Sequence, residues 1–455
     1  MSLMVSISGI RGIVGESFTP EIALRYASAF ARYCWSGAGR APEIVMGQDG
    51  RSTGGAVADA VRAGLLASGI TVRDLGICPT PTVELAVERE GAAGGISITA
   101  SHNPAQWNGL KFLGPTGMFL DAEENRRLWQ MASDPPRYAP WSATGRTIAD
   151  PSWLRKHIDI VLGLPLLRLE TLRQRRFRVV LDCINAAGGL IVPELLRSMG
   201  CEVLELNCEV SGVFTRTPEP LPENLAALCH RVEQERADLG IAVDPDVDRL
   251  VLITERGEPY GEENTVASAV LFMLERHQGM QDVVVNLSTT RAVDDIACRF
   301  GAHVERTPVG EINVARRMKE IGALIGGEGS GGVILPMAHL GRDAVVGIGL
   351  LLQLLADSGA SLSALKDSLP QYAIAKGKVE IAGREPGTVL DHLQTTIGEG
   401  EVNTDDGLKI DYDDHWVHLR RSNTEPIIRI IAEARTALRA EELVSTFRQR
   451  ILASA

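Results

Sequence analysis

Two segments of the chain carry side chains that could transfer a phosphoryl group. The first, Gly94 to Phe112, presents the Ser101 hydroxyl after a short apolar run, with Lys111 ten residues further on. The second is a run of alternating carboxylates: Asp244, Asp246 and Asp248. A serine that carries a phosphoryl group needs a base or a cation beside it. Because Mg²⁺ binds through few carboxylates plus a phosphoryl oxygen, the two segments together predict phosphoryl transfer.

The reactive part of the first segment, TASHNP (Thr99–Pro104), is called the serine loop below, and DPDVDR (Asp244–Arg249) is called the acidic loop. Both loops have other possible interpretations. Ser101 lies on what should be a short exposed loop, where a serine could instead cap the next helix. His102 beside it does not establish a Ser-His dyad, because adjacent residues need not face each other. An EF-hand is disfavoured, since Arg249 stands where that loop needs glycine. A phosphatase with an aspartate nucleophile would also place a D-x-D pair after a strand, and this alternative stays open.

Two further segments could hold a substrate. In the sugar loop (GEGSGG, Gly327–Gly332), Glu328 and Ser330 could bind hydroxyl groups, and the glycines permit close backbone approach. The phosphate loop (RRSNTEP, Arg420–Pro426) combines arginines with short polar side chains, a pattern typical of an anion nest. Simple turns are the competing explanation for both. Near the start of the chain, Arg11 lies between two glycines, which indicates a guanidinium that points inwards.

Bulk properties narrow the class of protein. A chain of 455 residues exceeds one hydrophobic core and predicts three or four domains. A net charge of −12 without a basic stripe argues against a nucleic-acid partner. Seven scattered cysteines fit reduced thiols, and neither a membrane-spanning stretch nor a secretory signal is visible. We therefore expect a cytoplasmic protein with no membrane partner. No segment indicates an interface, so the oligomeric state is not predicted.

Strand patterns, such as Glu43–Gly47 and Leu239–Val243, alternate with helical patterns along most of the chain, which predicts α/β units with largely parallel sheets. The runs VVLDC and VVVNL begin two blocks in the same way and hint at a repeated unit. After about Leu369 the pattern changes to a strand, a helix, several strands and a closing helix over Ala440–Ile451, which is typical of an α+β domain. The predicted domains, with the loop that each contains, are 1–150 (serine loop), 151–256 (acidic loop), 257–368 (sugar loop) and 369–455 (phosphate loop).

The four loops, in this order, resemble those of the α-D-phosphohexomutase family, which includes phosphoglucomutases, phosphomannomutases and phosphoglucosamine mutases. Connecting segments such as GQDGR, TPEPLPENL and TPVGE also match, so the resemblance covers essentially the whole chain. It implies three related α/β domains with mixed sheets and a smaller C-terminal α+β domain around a central cleft. It also implies an isomerase that moves a phosphoryl group between O1 and O6 of a hexose phosphate. The reaction would pass through a phosphoserine and a bisphosphorylated sugar.

The resemblance assigns roles to individual residues. Ser101 and the three aspartates would hold one Mg²⁺ per chain, and a sugar bisphosphate would activate the enzyme. Charge neutralisation and proton movement around the transferred group would fall to Arg11, His102, Lys111 and Arg249. The hexose phosphate would be held by Glu328, Ser330, Gly310, Arg420, Ser422, Asn423, Thr424 and Arg429.

Two positions depart from the family pattern. Bacterial members often have histidine at the position of Gly332 and a larger residue at that of Gly329, whereas both are glycine here. The preferred sugar (glucosamine, glucose or mannose) therefore stays open. A non-catalytic sugar-phosphate-binding protein is disfavoured, because Ser101, Lys111 and all three aspartates are present.

Overall fold

The computed structural model describes residues 3–35, 42–381, 384–421 and 427–454. These residues form four sheets, each built from a consecutive part of the chain. In the described ranges, no single helix has both the length and the apolar character to cross a membrane. Two consecutive helices, Ala344–Ser358 and Leu362–Ser368, are long and apolar enough only when they are taken together, and the chain bends by 89° between them.

The first unit is a seven-stranded sheet with four helices. Its strands are β1 (Met4–Ser6), β2 (Gly9–Ile13), β3 (Glu43–Gln48), β4 (Thr71–Ile77), β5 (Gly94–Ile98), β6 (Trp107–Leu113) and β7 (Thr147–Ala149). Its helices are α1 (Pro20–Trp35), α2 (Gly54–Ala67), α3 (Thr80–Glu90) and α4 (Ala122–Ser133). The strand order is β1-β2-β6-β5-β3-β4-β7, with β3, β4, β5 and β7 parallel and the remaining neighbours antiparallel.

The second unit has a four-stranded sheet in the order β11-β10-β8-β9. Its elements are α5 (Trp153–Leu162), α6 (Leu169–Arg175), β8 (Arg178–Asp182), α7 (Gly188–Ser198), β9 (Glu202–Leu206), α8 (Ala226–Glu235), β10 (Leu239–Val243) and β11 (Leu250–Thr254). Both β10 and β11 are buried along their whole length, because helices cover both faces of the sheet, and they read as continuous apolar runs.

The third unit repeats this sheet in the order β13-β12-β14-β15. Its elements are α9 (Glu262–Leu274), β12 (Asp282–Asn286), α10 (Ala292–Phe300), β13 (His303–Thr307), α11 (Glu311–Ile321), β14 (Ile325–Glu328), β15 (Gly332–Ile334), α12 (Ala344–Ser358) and α13 (Leu362–Ser368).

One strand arrangement occurs in all three α/β units. A first strand (β3, β8 or β12) pairs in parallel with the next strand and with the one after it. The third strand then turns back into an antiparallel hairpin: β5–β6, β10–β11 and β14–β15. The predicted repeat of an α/β unit with a mixed sheet is therefore confirmed.

The fourth unit is an antiparallel sheet in the order β16-β20-β19-β18-β17 with two helices. Its elements are β16 (Ala373–Glu380), α14 (Pro386–Thr396), β17 (Glu401–Asn403), β18 (Leu408–Asp411), β19 (Trp416–Arg421), β20 (Ile427–Ala434) and α15 (Ala437–Ser454). This is the predicted α+β domain, and its closing helix is longer than the expected Ala440–Ile451.

The hydrophobic core is divided unequally among the units. The second and third units share one continuous apolar cluster, in which α12 is buried along most of its length. The side chain of Asp343 caps the first turn of α12, and Gly359 ends the helix at φ +67. The fourth unit has a separate cluster built from its own strands and helices. Its attachment to the third unit therefore depends mainly on polar contacts.

Candidate active site

The hairpin turn of each α/β unit carries one of the predicted loops, and the three turns meet. The serine loop joins β5 to β6, the acidic loop joins β10 to β11, and the sugar loop joins β14 to β15. Ser101 Oγ lies 3.4 Å from Asp244 Oδ2, which connects the first two loops. The guanidinium of Arg342 connects the acidic loop to the sugar loop through Asp248 and Glu328.

Ser101 is held in an unusual backbone conformation. Its φ is +49, a left-handed value that costs a non-glycine residue about 1–2 kcal/mol. The backbone N–H of Ser101 donates to Thr99 Oγ1 (2.8 Å), and this hydroxyl donates to Asp49 Oδ2 (2.7 Å). Ser101 itself is only 5% exposed, so the expectation that it lies exposed was wrong, although Pro104 in the same loop is exposed. Asp244 of the acidic loop lies beside its hydroxyl.

Arg51 fixes the rest of this turn. Its Nε forms a buried ion pair with Asp49 at 2.8 Å. The two terminal nitrogens donate only to backbone carbonyl groups of the turn, those of Ser101, Asn103, Pro104 and Trp107. Arg51 therefore fixes the turn through its backbone carbonyl groups, and the Ser101 hydroxyl points toward the acidic loop.

His102 does face its neighbour, since its Nδ1 lies 3.2 Å from Ser101 Oγ. Burial lowers the pKa of His102 well below its ordinary value, and the positive charges of Arg249 and Arg11 lower it further. The imidazole is therefore neutral at physiological pH and can share a hydrogen bond with the hydroxyl.

The three aspartates form a buried cluster whose geometry suits a divalent cation. One oxygen from each of Asp244, Asp246 and Asp248 lies within 4.8 Å of the other two. Two of their oxygens, Asp246 Oδ1 and Asp248 Oδ1, are buried without a hydrogen-bond partner in the described chain. Because such atoms are costly unless they bind something, the residues present fit a hard cation such as Mg²⁺.

Neighbouring groups hold the opposite edges of these carboxylates. Asp246 Oδ2 accepts from Lys111 Nζ at 2.7 Å and from Thr80 Oγ1 at 2.8 Å. Asp248 Oδ2 accepts from Lys111 Nζ at 3.2 Å. Asp244 Oδ1 accepts two backbone N–H groups, those of residues 248 and 249. The oxygens without partners are thus left available on one side of the cluster.

Charge within the cluster shifts the pKa of its members. Burial raises the pKa of Asp244 well above its ordinary value, and the charges of Asp248 and Asp246 raise it further. Burial lowers the pKa of Lys111, but the attraction of Asp246 and Asp248 is stronger, and the net pKa lies above the ordinary value. Lys111 therefore stays protonated, and one more positive charge would favour ionised Asp244.

Two arginines complete the positive surroundings of the serine loop. Arg11 donates from Nη1 to Asn103 Oδ1 at 2.8 Å. Burial lowers the pKa of its guanidinium below the ordinary value, and the nearby charges of Asp246 and Asp248 act in the opposite direction. The Nε of Arg249 is buried without a hydrogen-bond partner in the described residues and lies 3.9 Å from Asp248 Oδ1. The predicted cations Arg11, Lys111 and Arg249 are therefore brought together.

Glu328 of the sugar loop is oriented by three donors. Its Oε1 accepts from Asn286 Nδ2 at 2.8 Å and from the backbone N–H of Gly310 at 2.9 Å. Its Oε2 accepts from Arg342 at 2.8 Å. Gly310 has a φ of +128, which favours glycine. Ser330 is half-buried in the same turn as Glu328, so the structure brings these three predicted residues together.

Only part of the phosphate loop can be placed. Ser422, Asn423 and Thr424 lie outside the described residues. Arg420 and Arg429 are paired on neighbouring strands β19 and β20. Arg420 lies 2.8 Å from Asp406 Oδ2, which also accepts the backbone N–H of Val309 at 3.0 Å. Arg420 is thus linked to the segment that precedes Gly310, whereas Arg429 is exposed.

Sequence reasoning missed three residues that position the site. Arg51 lies in GQDGR, a segment noted only as a connecting match, and Thr80 opens α3 without a distinctive motif. Arg342 follows the sugar loop by ten residues, just before the apolar run of α12. Its only signal is a charged Arg-Asp pair next to a buried helix.

Four family models together match nearly the whole chain. These are phosphoglucomutase/phosphomannomutase alpha/beta/alpha domain I at residues 4–136, domain II at 156–257, domain III at 262–372 and the C-terminal domain at 376–450.

Individual relatives agree with the family models. A probable phosphoglucosamine mutase of Methanopyrus kandleri is 37% identical over 443 residues, 97% of this chain and 96% of the relative. A phosphoglucomutase/phosphomannomutase of Thermococcus kodakarensis is 38% identical over 448 residues, 97% of each chain. The crystal structure of a phosphoglucomutase/phosphomannomutase family protein from Burkholderia thailandensis has a TM-score of 0.86 and 26% identity, covering 99% of this chain and 98% of that one. The resemblance to the α-D-phosphohexomutases is confirmed, and the chain belongs to the phosphoglucomutase/phosphomannomutase family.

Proposed function

We propose that this protein is a phosphohexomutase, an isomerase that moves a phosphoryl group reversibly between O1 and O6 of a hexose phosphate. The observation that carries the proposal is the placement of Ser101 Oγ, 3.4 Å from Asp244 in a cluster with two unpartnered carboxylate oxygens. A phosphoryl group on this hydroxyl would lie beside the cation that those oxygens can bind, and the cation would neutralise its charge. Neither the family models nor the named relatives support the alternative of a phosphatase with an aspartate nucleophile.

In the proposed reaction, the free hydroxyl of the bound sugar attacks the phosphorus of phosphorylated Ser101. The attacking hydroxyl loses its proton, the bond between phosphorus and Ser101 Oγ breaks, Ser101 Oγ takes up a proton, and the sugar becomes a bisphosphate. After the sugar turns around in the cleft, Ser101 Oγ loses this proton and attacks the other phosphorus. The bond between that phosphorus and the sugar oxygen breaks, and the sugar oxygen takes up a proton as the isomeric monophosphate is released. Positioning and charge neutralisation supply most of the rate enhancement in such transfers.

Ser101 Oγ and the carboxylates of the acidic loop would hold one Mg²⁺, which withdraws charge from the transferring group when bound. Around it, Arg11, Lys111 and Arg249 would neutralise the phosphoryl oxygens, and neutral His102 would hydrogen-bond the serine oxygen. All of these groups surround Ser101 and are largely buried, an arrangement that disfavours attack by water.

The hexose phosphate would be held on the opposite side of the cleft. Glu328, Ser330 and the backbone around Gly310 would bind sugar hydroxyls. The distal phosphate would be held by the phosphate loop: Arg420, Ser422, Asn423, Thr424 and Arg429. A sugar bisphosphate would act as activator by phosphorylating Ser101, and we expect the enzyme to work in the cytoplasm.

The experiment that tests this function combines activity with intact mass. The 1- and 6-phosphates of glucose, mannose and glucosamine are assayed in turn with Mg²⁺ and a trace of glucose 1,6-bisphosphate. The wild type should interconvert at least one pair and gain the mass of one phosphoryl group, whereas Ser101→Ala should do neither. Phosphate release that survives Ser101→Ala but is lost in Asp244→Asn would contradict the mutase and favour the phosphatase.

A further inference from the structure

Arg342, in the segment between β15 and α12, touches the acidic loop and the sugar loop at once. It is 8% exposed. Nη2 donates to Asp248 Oδ2 at 2.6 Å, and Nη1 donates to Glu328 Oε2 at 2.8 Å. Nε and the backbone N–H donate to the two carboxylate oxygens of Glu311, at 3.1 and 2.8 Å. One guanidinium therefore ties together three buried carboxylates from three different elements.

The same side chain occupies the space above Gly332. A Cβ added to Gly332 would lie 2.3 Å from Arg342 Cδ and 3.0 Å from Cγ. Such separations are far shorter than van der Waals contact, so the two side chains exclude each other. Any side chain at position 332 would need the volume that Arg342 fills here.

The contacts of Arg342 depend on the shape of a guanidinium. Its planar fork carries five N–H donors and remains charged, so it can bind two carboxylates with fixed directions. An ammonium group in the same place would keep the charge but lose the fork. Three donors occupy Glu328, and an ionised carboxylate offers about four acceptor positions. This leaves about one acceptor position of Glu328 for a sugar hydroxyl.

We propose that Arg342 is the positioning residue that sets the orientation of Glu328 toward the sugar, and that glycine at position 332 leaves room for it. The proposal builds on the mutase function above. Arg342 acts through Glu328 and Asp248, so its loss should weaken hexose phosphate binding and alter the preference among sugars. It should affect phosphorylation of Ser101 less, because Asp248 keeps Lys111 as a second cationic partner.

The first test compares Arg342→Lys with Arg317→Lys. Arg317 is a half-exposed arginine that pairs with Glu305 and Glu320 on the surface of the third unit, so it is a matched control. For Arg342→Lys we expect KM for the hexose phosphate to rise at least tenfold, with kcat changed less than KM. The control should stay within twofold of the wild type. Equal KM values in wild type and Arg342→Lys would overturn the proposal.

A second pair of variants keeps the test valid if Arg342→Lys does not fold. Gly332→Ala adds one methyl group that must displace Arg342, whereas Gly55→Ala adds a methyl group in open space. Gly332→Ala should raise KM at least threefold, and Gly55→Ala should not. The larger exchange Gly332→His should lower kcat/KM at least tenfold, because it displaces Arg342 further. Full activity of Gly332→His would show that the two side chains do not compete for space and would contradict the proposal.

Binding separates this inference from the function on which it rests. Calorimetry measures the dissociation constants of glucose 6-phosphate, mannose 6-phosphate and glucosamine 6-phosphate for the wild type and for each variant. A wild type that binds a hexose phosphate but does not isomerise it would refute the mutase alone. In that case weaker binding by Arg342→Lys still supports the inference, and unchanged binding contradicts it. A wild type that binds none of the three refutes both.

Discussion

Buried charge dominates the site at the scale of single residues. Lys111 lies between Asp246 and Asp248, and Arg342 contacts the same oxygen of Asp248 as Lys111 does. Each carboxylate is out of contact with water, and a buried charge costs free energy unless an opposite charge lies beside it. A change that removes one cation therefore affects folding as well as chemistry, and the two effects can be separated by supplying a different cation.

Replacing Lys111 with methionine should destabilise the protein by about 3–5 kcal/mol in EDTA, because two buried carboxylates lose a cationic partner that they share. Millimolar Mg²⁺ should recover part of this loss, since it supplies positive charge to the same cluster. Urea unfolding with and without Mg²⁺ measures both values. Lys156→Met, which removes a more exposed ammonium group beside Glu90, is the control and should change stability by less than about 1 kcal/mol. A loss no larger than that of the control would contradict the charge argument.

At the scale of elements, the hairpin of each α/β unit is the part that carries function. The sequence pattern predicts these regular elements well. The strand predicted at Leu239–Val243 has those bounds in the structure, and the one predicted at Glu43–Gly47 extends one residue further, to Gln48. The three hairpin loops were found as motifs because their residue types are unusual together. Arg51, Thr80 and Arg342 were not, because each reaches a loop from another element. Sequence spacing does not show which elements pack side by side, so these contacts needed the structure.

Gly310, immediately before α11, shows how backbone conformation supports a loop. Its φ of +128 strains any other residue, and its N–H donates to Glu328. Gly310→Ala should therefore cost about 1–3 kcal/mol and raise KM for the hexose phosphate. Gly322→Ala, at the end of the same helix with φ +67 and open space around it, should cost about 1 kcal/mol and leave KM unchanged. Urea unfolding and initial rates provide the comparison. Equal KM values for the two variants would contradict a role of Gly310 in orienting Glu328.

At the scale of the whole molecule, a buried polar network joins the three α/β units behind the acidic loop. Thr82 Oγ1 lies 2.9 Å from His157 Nδ1, and His157 Nε2 lies 2.8 Å from Asp343 Oδ2. The same oxygen of Asp343 is 3.0 Å from His339 Nε2, and His339 Nδ1 is 3.4 Å from Glu84. The first, second and third units are therefore held in register by these contacts as well as by apolar packing.

This network should make stability depend on pH. Burial lowers the pKa of His339, but its contacts with Asp343 and Glu84 are stronger and raise it to about 10. A raised pKa means that the folded state binds the proton more tightly, so this stabilisation is complete below about pH 6.5 and is lost as pH approaches 10. Urea unfolding between pH 6.5 and 10 should show a decline in the wild type that is smaller in His339→Gln. Parallel curves for the two proteins would contradict the assignment.

The separate hydrophobic core of the fourth domain has a consequence for whether Ser101 stays phosphorylated during turnover. Because its apolar cluster is its own, moving this domain away from the others would break polar contacts such as Asp406 with Val309 and leave that cluster intact. A cleft that opens in this way to admit a sugar phosphate would also allow the sugar bisphosphate intermediate to dissociate before the second transfer. Each dissociation would leave Ser101 unphosphorylated, and a hexose monophosphate would not restore the phosphoserine. Sustained turnover would then depend on bisphosphate being recaptured from solution.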